Sequence, residues 1–254
     1  MGATEQKRLQ TAFYDDKYAD ARRVAHKLGH PVFRYYEDRL LRQAELPARM
    51  GSVLELGCGQ GGDSILLSER ADLVVGVDIS CSGTALARRI AQERYGRSNV
   101  RFAAVEGERL PFQDDAFDVV YCRDALHHVS DPPQVVREVR RVLKPGGRFV
   151  AIEANPLNPQ MALIGLVFFR VDKGVFTNTR SRLSRLLSGA GLRRVRIVAT
   201  EYFPRAILFY YVSPLNRIPG ISKRTGWCER FERFMDRLRI FRPFANYLVL
   251  TAIK

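Results

Sequence analysis

The sequence predicts an α/β fold, a mostly parallel sheet wound with helices on both faces. Three observations lead there. Short apolar runs recur along residues 52–152, the segments between them carry apolar residues at helical spacing, and the run ending at Leu56 passes straight into a glycine-rich turn. Strands that alternate with amphipathic helices cross over rather than fold back, so they pair in parallel.

Residues 12–44 read as helical, with Tyr14, Tyr18, Val24, Leu28, Val32, Tyr35 and Tyr36 at helical spacing and a break at Gly29-His30-Pro31. The strand-like runs are Ser52–Leu56, Leu73–Val77, Val100–Val105, Phe117–Tyr121 and Arg148–Ile152. Val135, Val136, Val139, Val142 and Leu143 make one apolar helix face, and Pro145-Gly146-Gly147 ends that helix before the fifth strand. Beyond Pro156 the rhythm breaks, and residues 157–179 read as mixed apolar and loop-like. Arg180–Ala190 then reads as a helix stopped by Gly191, Arg194–Tyr202 and Asn246–Ile253 as strands, and Trp227–Ile240 as a helix between them. Those two strands stand about 40 residues apart, too far for a hairpin.

Composition bounds the function. A chain of 254 residues suits one large domain, and 46% hydrophobic with 27% charged residues excludes a disordered chain. The longest apolar run, Met161–Phe169, has nine residues, about half of the roughly 20 that a membrane-spanning helix needs. Met1–Arg8 lacks the apolar core of a signal peptide, so a cytoplasmic protein is expected. Cys58, Cys81, Cys122 and Cys228 show no paired spacing, which argues against a metal site and against a disulfide framework. The net charge is +14, and Arg170–Arg242 carries +12 of it, with 17 basic and 5 acidic residues. An acidic partner, whether nucleic acid, anionic lipid or a small molecule, would dock there.

The chemistry sits after the first strand. Gly57, Gly59 and Gly62 fit G-x-G-x-x-G, and Asp78 follows near the distance at which an acid holds a ribose. Glycines alone would suit a dinucleotide. Two further carboxylates shift the reading. Glu55 lies two residues before the first glycine, where a ligand with a cationic amino group wants a carboxylate, and Glu106 follows the third strand. A dinucleotide needs neither beside its phosphates; a ligand with an ammonium, a ribose and an adenine does.

With these motifs the sequence resembles the class I S-adenosylmethionine-dependent methyltransferases, specifically the small-molecule and lipid-modifying type 11 group. The resemblance covers about residues 50–155. Its motifs are Glu55-Leu56-Gly57-Cys58-Gly59, Val77-Asp78-Ile79, the stretch from Glu106 to Phe112, the stretch from Phe117 to His128, and the stretch from Arg141 to Gly147. The resemblance implies a seven-stranded Rossmann-like sheet, six strands parallel and the last antiparallel, with S-adenosylmethionine as cofactor. It implies a helical cap at residues 1–45 and a methyltransferase domain at 46–254, with substrate-side insertions at about 156–179 and 204–244. Glu55 would organise the glycine turn and the methionyl amine, and Gly57, Cys58 and Gly59 would pass their backbone beside the ligand. Asp78 would hold the ribose and Ile79 pack on the adenine. Glu106, where the family more often has Asp, would contact the adenine amino group, with Gly107 offering an N–H. Cys122 and Arg123 would line the methionyl side.

Several neighbours have blander readings. His127 and His128 are read as packing and pocket wall, with His127 the one facing the cavity, and no catalytic base is assigned. Asp131-Pro132-Pro133 is read as a helix-starting turn, since proline suits a first helical position. Glu153 and Asn155 stand just beyond the fifth strand, where they either face the substrate or shape the loop. Tyr14 and Tyr18 are placed to close over the cofactor. Trp227, Phe231, Phe234, Met235 and Leu238 are either core or the apolar stripe of a basic interfacial helix. The expected reaction is methyl transfer by in-line displacement to a small-molecule or lipid-like acceptor, with peripheral contact with an anionic membrane surface as a further expectation. The alternatives are an RNA- or protein-modifying methyltransferase recruited by the basic region, and a nucleotide-binding regulator or oxidoreductase. Nucleic acid is disfavoured because no RNA-binding module is recognisable.

Overall fold

The computed structural model describes residues 8, 11–13, 15, 21–167, 173–204, 208 and 225–254. Two helices come first, α1 (Arg22–Gly29) and α2 (Pro31–Gln43). His30 separates them in an extended conformation and Pro31 opens the second, as the Gly29-His30-Pro31 break requires. There follow β1 (Met50–Leu56), α3 (Gly62–Leu67), β2 (Ala71–Asp78), α4 (Cys81–Arg89), β3 (Val100–Ala104), β4 (Phe117–Arg123), α5 (Pro132–Val142) and β5 (Leu143–Ala154). The chain ends with α6 (Pro159–Val167), a 3-10 turn (Lys173–Thr177), α7 (Arg180–Gly189), β6 (Arg193–Thr200), α8 (Thr225–Arg237), a second 3-10 turn (Arg239–Phe244) and β7 (Tyr247–Ile253).

The seven strands form one sheet in the order β3-β2-β1-β4-β5-β7-β6. Strands β1 to β5 pair in parallel, and β7 lies antiparallel to both β5 and β6. Winding reverses between β1 and β4, the crevice where sheets of this kind bind ligands. Register makes that edge flush, because Leu56 pairs with Val77 on one side and Cys122 on the other, and Arg123 pairs with Ile152.

Both faces of the sheet are buried, so alternate residues of each strand enter opposite cores. Val53, Val74, Val119, Val150 and Ile152 pack with Val24, Leu40 and Leu41 of the first two helices. Leu54, Val120, Cys122, Phe149 and Ala151 pack with Val135, Val136 and Val139 of α5 and with Leu183 and Leu187 of α7. Each fully buried aliphatic side chain contributes about 1.5–3 kcal/mol, which makes this sandwich the rigid platform for the loops above it.

Local chemistry marks the helix starts. Asp131 accepts from the Gln134 N–H at 2.9 Å, Ser80 from Gly83 at 2.9 Å and Thr179 from Arg182 at 3.3 Å. The Asp131-Pro132-Pro133 segment is thus a helix-starting turn. Two expectations change. Pro145-Gly146-Gly147 does not separate helix from strand but lies inside β5, which follows α5 directly. Part of the stretch read as loop-like is helix α6. Its signals are Asn158, whose side chain accepts from the Met161 N–H at 3.0 Å, and Pro159 in the first turn. The helix is apolar on every side, so no periodicity announces it.

Candidate active site

The glycine turn after β1 is shaped by backbone geometry. Gly57 has φ +71°, and a Cβ on it would stand 2.7 Å from the Cβ of Ala125. Only glycine permits both. The N–H groups of Gly57 and Cys58 donate to the Val77 carbonyl at 2.8 and 3.0 Å, which ties the turn to the end of β2. Cys58 is a buried filler of this turn, its thiol pushed well above the usual range by desolvation.

Asp78 ends β2, and its two oxygens are spread across two loops. One accepts the Gly59 N–H at 2.8 Å and the other the Ser80 N–H at 2.9 Å. A carboxylate has about four acceptor sites, so two hydroxyls of a ribose still find acceptors there. Ile79 beside it is half-buried. Asp15 caps the same edge, accepting from Ser80 and Ser82 at 2.5 and 2.6 Å, and these two hydroxyls hold its carboxyl below the usual range. Tyr14 and Tyr18 lie outside the described residues.

Glu55 is buried beneath the turn, where it accepts from the Ser64 hydroxyl. Burial first, then the Asp63 charge, raise its carboxyl well above the ordinary range. Burial likewise raises Asp78. Desolvated carboxyls of this kind, beside a glycine turn at the sheet edge, fit a ligand that carries positive charge and a ribose. Glu106 lies exposed just after β3, in an open groove with Arg109, Leu110, Pro111, Phe112 and Arg141. Gly107 is not forced by packing, because a Cβ there would only meet Val135 at 3.6 Å.

Two expected positions do something else in this structure. Cys122 faces the apolar core at 0% exposure, so only its backbone reaches the sheet edge. Arg123 is bound to acids of other elements. It pairs with Glu37 of α2, lies 3.6 Å from Asp63 and stacks over Tyr247 at 5.6 Å from the ring centre. Lys27 of α1 completes the cluster, 2.7 Å from Asp63 and 3.8 Å from Glu37. These charges fasten the first two helices to the glycine turn, a role no local pattern reveals.

On the other side of the switch point, β4 and β5 end together. Glu153 is fully buried, and its Oε1 accepts the Ala125 and Leu126 N–H groups at 3.2 and 2.9 Å. Its Oε2 lies 2.6 Å from His127 Nδ1 and accepts from the Asn178 amide at 2.9 Å. Asn155, by contrast, shapes a loop, donating to the Pro243 and Ala245 carbonyls at 2.8 and 2.7 Å.

A flush strand edge with a glycine turn and buried carboxyls lies at the switch point, where sheets of this kind take ligands. A family model described as a methyltransferase domain matches residues 54–151. The chain is 33% identical to 27-O-demethylrifamycin SV methyltransferase of Amycolatopsis mediterranei, over 97% of this chain and 89% of that protein. It is 33% identical to demethylmenaquinone methyltransferase of Deinococcus radiodurans, over 70% of this chain and 68% of that protein. An uncharacterized methyltransferase of Bacillus subtilis, YcgJ, is 44% identical over 48% of each chain. The solved structure of YcgJ superposes with a TM-score of 0.54 at 26% identity, over 87% of this chain and 96% of that one. The chain belongs to the class I S-adenosylmethionine-dependent methyltransferases, type 11. It is an enzyme of that family, and S-adenosylmethionine is its methyl donor. When bound, that molecule supplies an activated methyl group on a positively charged sulfur.

Proposed function

We propose that this chain methylates a small amphiphilic acceptor taken from an anionic membrane surface. A rim of exposed apolar side chains among arginines carries the reading. Ile240, Phe241 and Phe244 are 77%, 42% and 49% exposed, and Leu157, Leu163 and Leu166 about 60% each. Asn158 joins the two sets, donating to the Phe244 carbonyl at 2.7 Å while capping α6. Arg233, Arg237, Arg239 and Arg242 are exposed beside them. Large exposed apolar patches on soluble chains mark docking or ligand sites, and each arginine near an anionic surface adds about 1 kcal/mol. No helix among the described residues is long and apolar enough to cross a membrane.

The aromatic stripe expected on α8 divides in two. Cys228 and Glu232 face inward, Phe231 packs against Val32, Tyr36 and Phe203, and Phe234 is 58% exposed. The relatives named for a rifamycin and a demethylmenaquinone support a small-molecule acceptor. In this reading residues 1–45 cap the cofactor, and the insertions at about 156–179 and 204–244 cover the acceptor. The transfer is an in-line displacement, for which alignment in a dry pocket supplies several kcal/mol.

Methyl-labelled S-adenosylmethionine with a host extract, split into lipid, small polar, RNA and protein fractions, tests the acceptor class. Label should appear in the lipid fraction; label in RNA or protein instead establishes the alternative. Vesicles of phosphatidylglycerol should sediment the protein, and phosphatidylcholine vesicles should not. Salt, Arg237→Glu with Arg239→Glu, or Ile240→Asp with Phe241→Asp should each release it. A protein left in the supernatant at low salt ends the membrane reading.

A further inference from the structure

We propose that the chain carries a second docking surface, an arginine stripe on α5, α7 and β6 that holds duplex DNA by its phosphates. The stripe lies apart from the acceptor rim and does not depend on which acceptor is methylated.

Three neighbouring elements build it. Arg140, Arg180, Arg182, Arg185, Arg193 and Arg194 are all exposed. Helices α5 and α7 share one core through Val135, Val139, Leu183 and Leu187, which leaves their arginines outside. Arg180 reaches across to the edge strand β6, where it donates to the Ile197 carbonyl at 3.3 Å. Arg140 lies against the turn that joins α7 to β6. Gly191 in that turn has φ +83°, and a Cβ on it would stand 3.0 Å from Arg140 Nε. Arg193 and Arg194 follow at once, in the irregular start of β6 where Arg194 has φ +51°. The arginine of α5 thus meets those of the sheet edge.

Positive charge is left over on this surface. From Lys173 to Thr200 the chain has no acidic residue. Among the described residues none of the six arginines forms an ion pair, whereas Arg34, Arg97 and Arg196 are each held by a glutamate at 2.8, 3.0 and 2.8 Å. Arg182 and Arg185 donate only to nearby carbonyls and to the Thr177 hydroxyl. A guanidinium has five N–H groups, so most of these donors remain for a ligand.

Position separates this surface from the membrane face. Thr200 pairs with Tyr247 and Tyr247 with Ala154, so that end of β6 is level with the strand ends that lead to Phe244 and Leu157 of the rim. Arg193 pairs with Ile253 at the opposite end. The eight residues of β6 span about 23 Å. Charges are screened over about 8 Å at physiological salt, so a membrane touching the rim does not engage Arg140, Arg193 and Arg194.

Composition then selects the partner. A protein interface is anchored by buried apolar or aromatic side chains, and none of the large exposed apolar residues belongs to α5, α7 or β6. For the same reason no ring is available to stack the bases of a single strand. Phosphates need neither. A duplex is held largely through its backbone by contacts that carry no sequence information, so no recognition module is required. The six side chains are arginines, the type drawn into the narrow, strongly negative minor groove of B-form DNA. Duplex RNA instead presents a wide minor groove lined with hydroxyls.

Fluorescence anisotropy with a short labelled DNA duplex tests this. Six phosphate contacts should make the affinity fall about 10³-fold between 50 and 200 mM salt. Arg140→Gln with Arg193→Gln and Arg194→Gln keeps three contacts, so binding should weaken and that fall should shrink to about 40-fold. Arg180→Gln with Arg182→Gln and Arg185→Gln should behave alike, an independent test at the other end of the stripe. Arg34→Gln with Arg49→Gln and Arg97→Gln removes equal charge from arginines paired with Glu69 or Asp72, and should leave the salt dependence unchanged. The rim variant Arg237→Glu with Arg239→Glu should keep that salt dependence too, so loss of vesicle binding and loss of DNA binding are read separately. An equal loss in the Arg34 set or in the rim variant overturns the proposal. So does tighter binding of duplex RNA or of the single strand, or displacement of the duplex by polyglutamate of equal charge as readily as by unlabelled DNA.

Discussion

Two buried carboxylates divide the labour of the site. Glu55 near the end of β1 is 2% exposed and Glu153 near the end of β5 is 0% exposed. Glu55 has one hydroxyl donor, from Ser64, and lies among other acids; Glu153 has two backbone N–H groups, an amide and an imidazole around it. The same residue type at the same depth is thus short of donors and holds its proton on one side of the switch point, and is saturated with donors on the other. The first arrangement favours the protonated acid. The second holds a loop and a histidine in place. Environment, not residue identity, decides which service a buried acid performs.

The largest effect should come from destroying the saturated centre. Glu153→Leu strands buried donors and should cost about 3–5 kcal/mol in urea unfolding. A loss below about 1 kcal/mol would break the comparison, showing that those donors find other partners.

Asp78→Ala should weaken S-adenosylmethionine binding by roughly one to two orders of magnitude, since a charge-assisted contact of this kind is worth about 1.5–3 kcal/mol. It should also lower stability by about 1–2 kcal/mol, because the N–H groups of Gly59 and Ser80 lose their acceptor. Unchanged affinity by calorimetry, in a folded variant, takes Asp78 out of the binding site.

The smallest effect sharpens the contrast through pH. The carboxyl of Glu55 is raised in the folded chain, so its neutral form stabilises fully at acid pH, and that contribution is lost as pH rises from the ordinary carboxylate range towards neutrality and beyond. Glu55→Gln removes the penalty. Its stability relative to the parent should therefore increase between pH 5 and pH 8, by on the order of 1 kcal/mol. Saturating S-adenosylmethionine should shrink that difference. A pH-independent difference means that Glu55 ionises freely.

The alternation of strands with helices and the glycine turn were legible because they rest on local rules. Period-2 and period-3.6 patterns mark the elements, and the positive φ of Gly57 favours glycine. Helix α6 escaped because its all-apolar composition has no period, although Asn158-Pro159 announced its start. Arg123 ends β4, and its partners Glu37 and Asp63 belong to other elements, which no local pattern links to it.

What the sequence determined by itself is the order of strands and helices, the family, and the acids at the carboxyl edge. Each follows from spacing along the chain. Only the tertiary structure decided which of those acids meets which partner. Glu153 and His127 are 26 residues apart, and Asn178 lies 25 beyond Glu153. Sequence distance carries no information about such contacts, because parallel pairing of β4 with β5 and the close approach at Gly174 bring them together. Burial then sets their chemistry, and burial is a property of the packed fold, not of any single residue.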